Sequence, residues 1–127
     1  MNILFICKYN RFRSKIAEAY FNSKRPKGSN AKSAGLVPGI PITRDIITTS
    51  KLYRININGR PRGLNHKLLQ WADKIIVMSD KIPGSVFFEE QKNDKKEIII
   101  WRMADALTPK DRPRIIKEIK KRVDKLF

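Results

Sequence analysis

The residues best suited to chemistry lie together near the start of the chain, in Cys7-Lys8-Tyr9-Asn10-Arg11-Phe12-Arg13-Ser14. Five residues separate the only cysteine from an arginine and its neighbouring hydroxyl. An apolar strand pattern from Asn2 to Ile6 precedes this segment and a helix pattern from Ser14 to Phe21 follows it. Ser14 is well typed to cap or open that helix. In such a strand, loop and helix, the loop amides and the first-turn N–H groups converge on one point. Convergence of that kind favours an anion and stabilises a thiolate over a thiol. Cys7 stands at the carboxyl end of a strand, where open α/β sheets bind ligands. Arg13 stands at the helix entrance, where its planar fork can clasp a phosphate. A small buried apolar cysteine is the competing reading, and position favours the phosphate site over it.

The elements that must hold this segment fit one domain, residues 1–127. After the first helix, Ser23 to Asn30 is a polar loop, and Ala31 to Ala34 can form a short strand ending at Gly35. Helix spacing resumes at Thr43-Arg44-Asp45-Ile46-Ile47, with Thr43 a plausible cap. Leu64, Leu68, Leu69 and Ala72 make a helical stripe feeding Lys74-Ile75-Ile76-Val77-Met78, which reads as a strand covered on both faces. Asp80 to Gln91 is irregular and partly helical, and Glu97-Ile98-Ile99-Ile100-Trp101 reads as a further buried strand. The last helix is expected to start after Asp111, with Pro113 in its first turn and Ile115 or Ile116, Ile119, Val123 and Leu126 on one side. Strands alternating with helices predict an α/β three-layer sandwich, a four-stranded parallel sheet flanked by helices with the phosphate loop between the first strand and first helix.

Composition bounds the partners. Twenty-eight basic against twelve acidic side chains give a net charge of +16, which steers anionic partners and raises nonspecific nucleic-acid affinity without specifying either. The basic clusters at Lys24 to Lys27, Arg60 to Arg62 and Lys117, Lys120, Lys121 and Arg122 read as solvated faces. One cysteine and one histidine, His66, supply neither an intramolecular disulfide nor the usual zinc cluster, so no metal or other cofactor is expected. The apolar run Met1 to Cys7 is too short for a secretory signal or a membrane span, which predicts a cytoplasmic protein with no membrane partner.

The loop, the Ser33-Ala34-Gly35 turn, Ala72-Asp73-Lys74-Ile75-Ile76-Val77-Met78 and Trp101-Arg102-Met103-Ala104-Asp105, in that order, resemble the low-molecular-weight protein tyrosine phosphatase family and its arsenate reductase relatives. The resemblance spans nearly the whole chain. It implies a phosphomonoesterase with Cys7 as the nucleophile, a phosphocysteine intermediate, Arg13 as bidentate binder of the phosphoryl oxygens and Asp105 as general acid and then base. Lys8, Tyr9, Asn10, Arg11, Phe12 and Ser14 would be the phosphate-binding residues. Ser14 would hydrogen-bond the thiolate, and Asn10 would hold the loop in shape with Ser33. From layout alone Asp80 also stands at the active edge, and the resemblance is what selects Asp105.

The chain departs from the family pattern at several positions. Tyr9 stands where glycine is usual, Phe12 replaces a frequent second cysteine, and Lys15 replaces the proline after the serine. Ala106, Leu107 and Thr108 stand in place of a proline and two tyrosines, and Gly39 falls near the opposite aromatic wall. Trp101 reads as core or rim. A phosphotyrosine pocket needs aromatic walls, so unless Tyr9, Phe12 or Trp101 provides one, aryl phosphate is not the expected substrate, and the cationic Lys8 and Arg11 suit a multiply anionic phosphoester or a phosphorylated protein. Two alternatives remain: a phosphate- or RNA-binding module on the same fold, and an arsenate reductase that draws on external thiols because no second cysteine can carry a disulfide relay.

Overall fold

The computed structural model of the protein describes residues 1–37, 39–57, 60–79, 81–93 and 95–127. Four strands, β1 (Asn2–Cys7), β2 (Asn30–Gly35), β3 (Lys74–Val77) and β4 (Glu97–Ile100), form one parallel sheet in the order β2-β1-β3-β4. Helix α1 (Arg13–Lys24) links β1 to β2. Helices α2 (Arg44–Leu52) and α3 (His66–Trp71) lie between β2 and β3, the short α4 (Phe88–Gln91) between β3 and β4, and α5 (Arg112–Asp124) closes the chain.

Side-chain alternation divides the central strands between two cores. Ile3, Phe5 and Cys7 of β1, with Ile76 and Met78, join Ile16, Ala17, Phe21, Ile116 and Ile119 from α1 and α5 on one face. Leu4, Ile6, Ile75 and Val77 join Leu68, Ala72 and Phe87 on the other. That two-sided cover is why β1 and β3 read as continuous apolar runs.

Chain direction reverses across the sheet at β1. The chain steps from β1 outward to β2, then returns past β1 to β3. The crevice beyond the carboxyl ends of β1 and β3 is therefore the switch point where open α/β sheets take ligands. Cys7 ends β1, pairs with Gly35 in register, and faces this crevice.

Local expectations are met unevenly. β4 is not a buried strand but the sheet's outer edge: among the described residues it pairs only with β3, and Ile100 is half exposed. The last helix does start after Asp111, which holds its N-cap position with Pro113 in the first turn, but the Asp111 carboxylate makes no cap bond to α5 and instead closes a box with Thr108 across the 3-10 turn Pro109–Asp111. Thr43 does occupy the N-cap of α2, but its hydroxyl turns to Asp45 rather than to the helix backbone. Among the described residues no helix is long and apolar enough to cross a membrane.

Candidate active site

The loop between β1 and α1 is organised around Asn10. This residue is fully buried and has φ +54°, in the left-handed region where asparagine is among the better-tolerated side chains. Its Oδ1 accepts the Arg62 backbone N–H at 2.7 Å, which fixes the orientation of the carboxamide. Its Nδ2 then donates to Ser14 Oγ at 2.7 Å and to Ser33 Oγ at 2.9 Å. Ser33 in turn donates its hydroxyl hydrogen bond to Glu18 Oε1 at 2.6 Å. Three distant segments, the first turn of α1, strand β2 and the stretch before α3, are thereby pinned to one loop side chain.

Cys7 is buried and free. Its Sγ lies 2.9 Å from Ser14 Oγ and accepts the Asn10 backbone N–H at 3.3 Å. Gly35, in register beside it, lets the loop backbone pass: a Cβ there would stand 2.7 Å from both Asn10 N and the Tyr9 carbonyl carbon.

Arg13, the first residue of α1, is 4 % exposed. Its Nη1 donates to the carbonyls of Met78 and Met103, both at 2.9 Å, so the ends of β3 and of the segment after β4 aim the guanidinium. Its Nε lies 3.6 Å from Asp105 Oδ1. Asp105 is about half exposed and also accepts the Ala106 N–H at 2.8 Å. The Thr108 to Asp111 capping box holds the far end of the same loop.

These groups open onto a cavity of about 60 Å³ lined by Cys7, Tyr9, Arg11, Phe12, Arg13, Ile46, Asp105, Ala106 and Arg112. The sequence-predicted Cys7, Arg13 and Asp105 thus meet in one place. Asn10, Ser14 and Ser33 stand behind the cavity as its frame. Phe12 contributes to the lining and also to the core. Lys8 does not line this cavity; its ammonium lies 5.1 Å from the centre of the Tyr9 ring, beside a neighbouring hollow shared with Ser79, Lys81 and Asp105. Arg11 Nε donates to the Pro41 carbonyl at 3.0 Å. Asp80, the other candidate acid, lies outside the described residues.

Sequence reasoning missed Ile46 and Arg112. Ile46, from α2, rather than anything near Gly39, supplies the opposite wall. Arg112 is held by an ion pair to Asp45 at 2.5 Å, a carboxylate that the Thr43 hydroxyl also engages. These two hydrogen bonds, Thr43 first and then Arg112, pull the Asp45 carboxyl from 3.8 down to about 2. Trp101 belongs to the core, its ring 5.9 Å from that of Phe5. Among the described residues no cluster of three or more potential metal ligands occurs.

The fold and this loop define a low-molecular-weight phosphatase scaffold. The chain belongs to the low molecular weight phosphotyrosine protein phosphatase family, whose model matches residues 2–111. Among solved structures it is similar to the low molecular weight protein tyrosine phosphatase of T. tengcongensis, with 25% identity, a TM-score of 0.80, and coverage of 99% of this chain and 97% of that one. An arginine phosphatase from Geobacillus stearothermophilus superposes with a TM-score of 0.84 at 20% identity, over 98% of this chain and 89% of that one, a likeness of fold. A thioredoxin-dependent arsenate reductase from Corynebacterium glutamicum matches at 25% identity and TM-score 0.76. That match covers 98% of this chain, which spans only 59% of the reductase. A search of curated proteins returns no match.

Proposed function

We propose that the protein is a phosphomonoesterase in which Cys7 is the nucleophile, Arg13 the phosphoryl clamp and Asp105 the proton carrier. The observation that carries this reading is the sulfur's setting. Cys7 Sγ sits at the cavity floor with Ser14 and the Asn10 amide turned to it, and with Arg13 and Asp105 on the same cavity.

The thiolate attacks phosphorus and forms an S–P bond as the P–O bond to the leaving group breaks, and Asp105 gives its proton to the departing oxygen. Water then attacks the phosphocysteine, its proton passes to Asp105, and inorganic phosphate leaves as the thiolate is restored. Arg13 has Nη1 committed to carbonyls, so Nε and Nη2 are what it offers the phosphoryl oxygens. Phosphoryl transfer asks a protein mainly for positioning and charge stabilisation, and Arg13 with the loop amides supplies both without a metal.

Three arginines and one aspartate line a narrow cavity together with Tyr9, Phe12, Ile46 and Ala106, and the surplus of positive charge favours a substrate with a second anionic group, with Tyr9 and Phe12 as the rings against which an aryl group would lie. A phosphorylated protein or a small anionic phosphoester meets that description. A cytoplasmic setting, where thiols stay reduced, suits an enzyme with one reactive cysteine.

The test is hydrolysis of para-nitrophenyl phosphate and of an alkyl bisphosphate in excess chelator by wild type, Cys7→Ser and Asp105→Asn. Activity should vanish with Cys7→Ser and fall roughly 100-fold with Asp105→Asn. Unchanged turnover in Cys7→Ser would sink the mechanism. Phosphate binding without hydrolysis in the wild type would leave a binding module on the same fold.

The arsenate reductases among the similar structures support a second reading. Arsenate bound to Cys7 sulfur would be reduced when an external thiol attacks that sulfur, forming a mixed disulfide as arsenite leaves. A second external thiol would then regenerate Cys7. Arsenite release that requires added thiol would distinguish it.

A further inference from the structure

Behind the phosphate loop, on the other side of the first turn of α1, lies a separate hollow of about 270 Å³. Its polar lining is Lys15, Glu18, Asn22, Asn56, Arg60 and Arg62. Lys15 is only 7 % exposed, and that exposure includes its ammonium, which forms no hydrogen bond or ion pair among the described residues and meets solvent where it lines the hollow. Its aliphatic stem is packed away while the charged end stays available to a ligand. Its desolvation lowers the Lys15 pKa from 10.5, with Arg62 pushing the same way and Glu18 and Cys7 opposing.

The other polar groups are unequally available. Asn22 spends both amide atoms on the Ala31 backbone, Nδ2 donating to its carbonyl and Oδ1 accepting its N–H, each at 3.0 Å. Glu18 is engaged through Oε1 by Ser33. The side chains of Arg60 and Arg62 form no hydrogen bond or ion pair among the described residues. Three cations against one carboxylate leave the hollow with two uncompensated positive charges.

We infer that this hollow is a second oxyanion site that takes a phosphate group, held by Lys15, Arg60 and Arg62. Two guanidinium forks and an ammonium from different segments match an anion with several acceptor oxygens better than they match a planar carboxylate. The volume leaves room for an ester substituent beside the phosphate. The site goes beyond the catalytic reading, because its cations come from outside the Cys7 cavity. It also touches the frame of that cavity, since Arg62 donates its backbone N–H to Asn10.

The test follows backbone amide NMR shifts as inorganic phosphate, and separately glycerol phosphate, is titrated into the full chain, with chloride as the reference. Saturable shifts are expected in Lys15 to Asn22 and Arg60 to Leu64, distinct from those of Tyr9 to Ser14. Response to glycerol phosphate as well as to inorganic phosphate would identify an ester-accepting site, and response to inorganic phosphate alone a site for the free ion. Arg60→Ala should weaken the second set at least roughly tenfold and leave the Tyr9 to Ser14 titration and the basal activity unchanged. Lys15→Met should abolish it, and Arg60, being exposed, carries the test by itself if Lys15→Met does not fold. Shifts no different from those in chloride, or unaltered in Arg60→Ala, would overturn the proposal. Failure of the catalytic reading would instead show as silence in Tyr9 to Ser14, with the second set intact.

Discussion

Asn10 and Cys7 meet through one oxygen, Ser14 Oγ. Asn10 Nδ2 donates to it at 2.7 Å, which takes one of its lone pairs, and towards a thiolate, which can only accept, the hydroxyl donates its own hydrogen to Cys7 Sγ, 2.9 Å away. The carboxamide cannot be turned over, since its oxygen is held by the Arg62 amide. Ser14 is thus placed to donate to the sulfur when it carries negative charge.

Ser14→Ala removes that donor and also one of the two acceptors of Asn10 Nδ2, leaving Ser33 as the other. A hydrogen bond to a charged group contributes about 1.5–3 kcal/mol, so kcat/KM should fall roughly 10- to 100-fold. The rate of Cys7 alkylation by iodoacetamide at neutral pH should change at the same time. An unchanged alkylation rate would mean that Ser14 does not act on the sulfur.

Arg13→Lys keeps the charge but loses the fork. The two carbonyls now satisfied by Nη1, those of Met78 and Met103, cannot both be reached in the same geometry by one ammonium while it also meets a ligand. Stability should drop by about 1–3 kcal/mol, read from the urea midpoint, and phosphate affinity should fall with it. A variant that unfolds at the wild-type midpoint would show that the two carbonyls do not depend on Arg13.

Much of the loop was legible because its information is local. A cysteine at a strand end, an arginine at a helix start and a hydroxyl beside it state the chemistry within eight residues. The central strands were legible because two-sided cover demands unbroken apolar runs, and β1 and β3 have them. The same rule misread β4, for Ile98, Ile99 and Ile100 look identical whether the strand has one neighbour or two. Periodicity reports a residue's affinity for cover, not the order of strands in the sheet. The frame residues were divided: the resemblance suggested Asn10 with Ser33, while Arg62, Asp45 and Arg112 depend on tertiary contacts between segments far apart in sequence and have no local signal.

Gly35 should be irreplaceable for a reason of space. Its neighbour at 2.7 Å would be loop backbone, not the movable end of a side chain. Gly35→Ala must therefore push the Tyr9 to Asn10 peptide away from β2, pulling Asn10 off Ser14 and Ser33. We expect about 1–3 kcal/mol of destabilisation together with loss of phosphate affinity. Wild-type affinity at wild-type stability would show that the loop has more room than its geometry implies.

The Asp45–Arg112 pair joins α2 to α5 across the cavity mouth, and its behaviour with pH follows from the Asp45 carboxyl lying near 2 rather than 3.8. The folded value is below the unfolded one, so the folded state binds the proton less well than the unfolded chain does. The pair's contribution to stability is thus complete above about 3.8 and disappears as the pH falls toward about 2. Asp45→Asn removes that titration. Its Tm should lie below that of wild type by a constant margin from neutral pH down to about 4, and the two curves should then converge on further acidification. A margin that persists at the acid end would assign the loss to packing rather than to charge. Because Arg112 lines the cavity, the same variant should raise KM for a bisphosphate substrate more than it lowers kcat, as a loosened binding arginine would and a disturbed nucleophile would not.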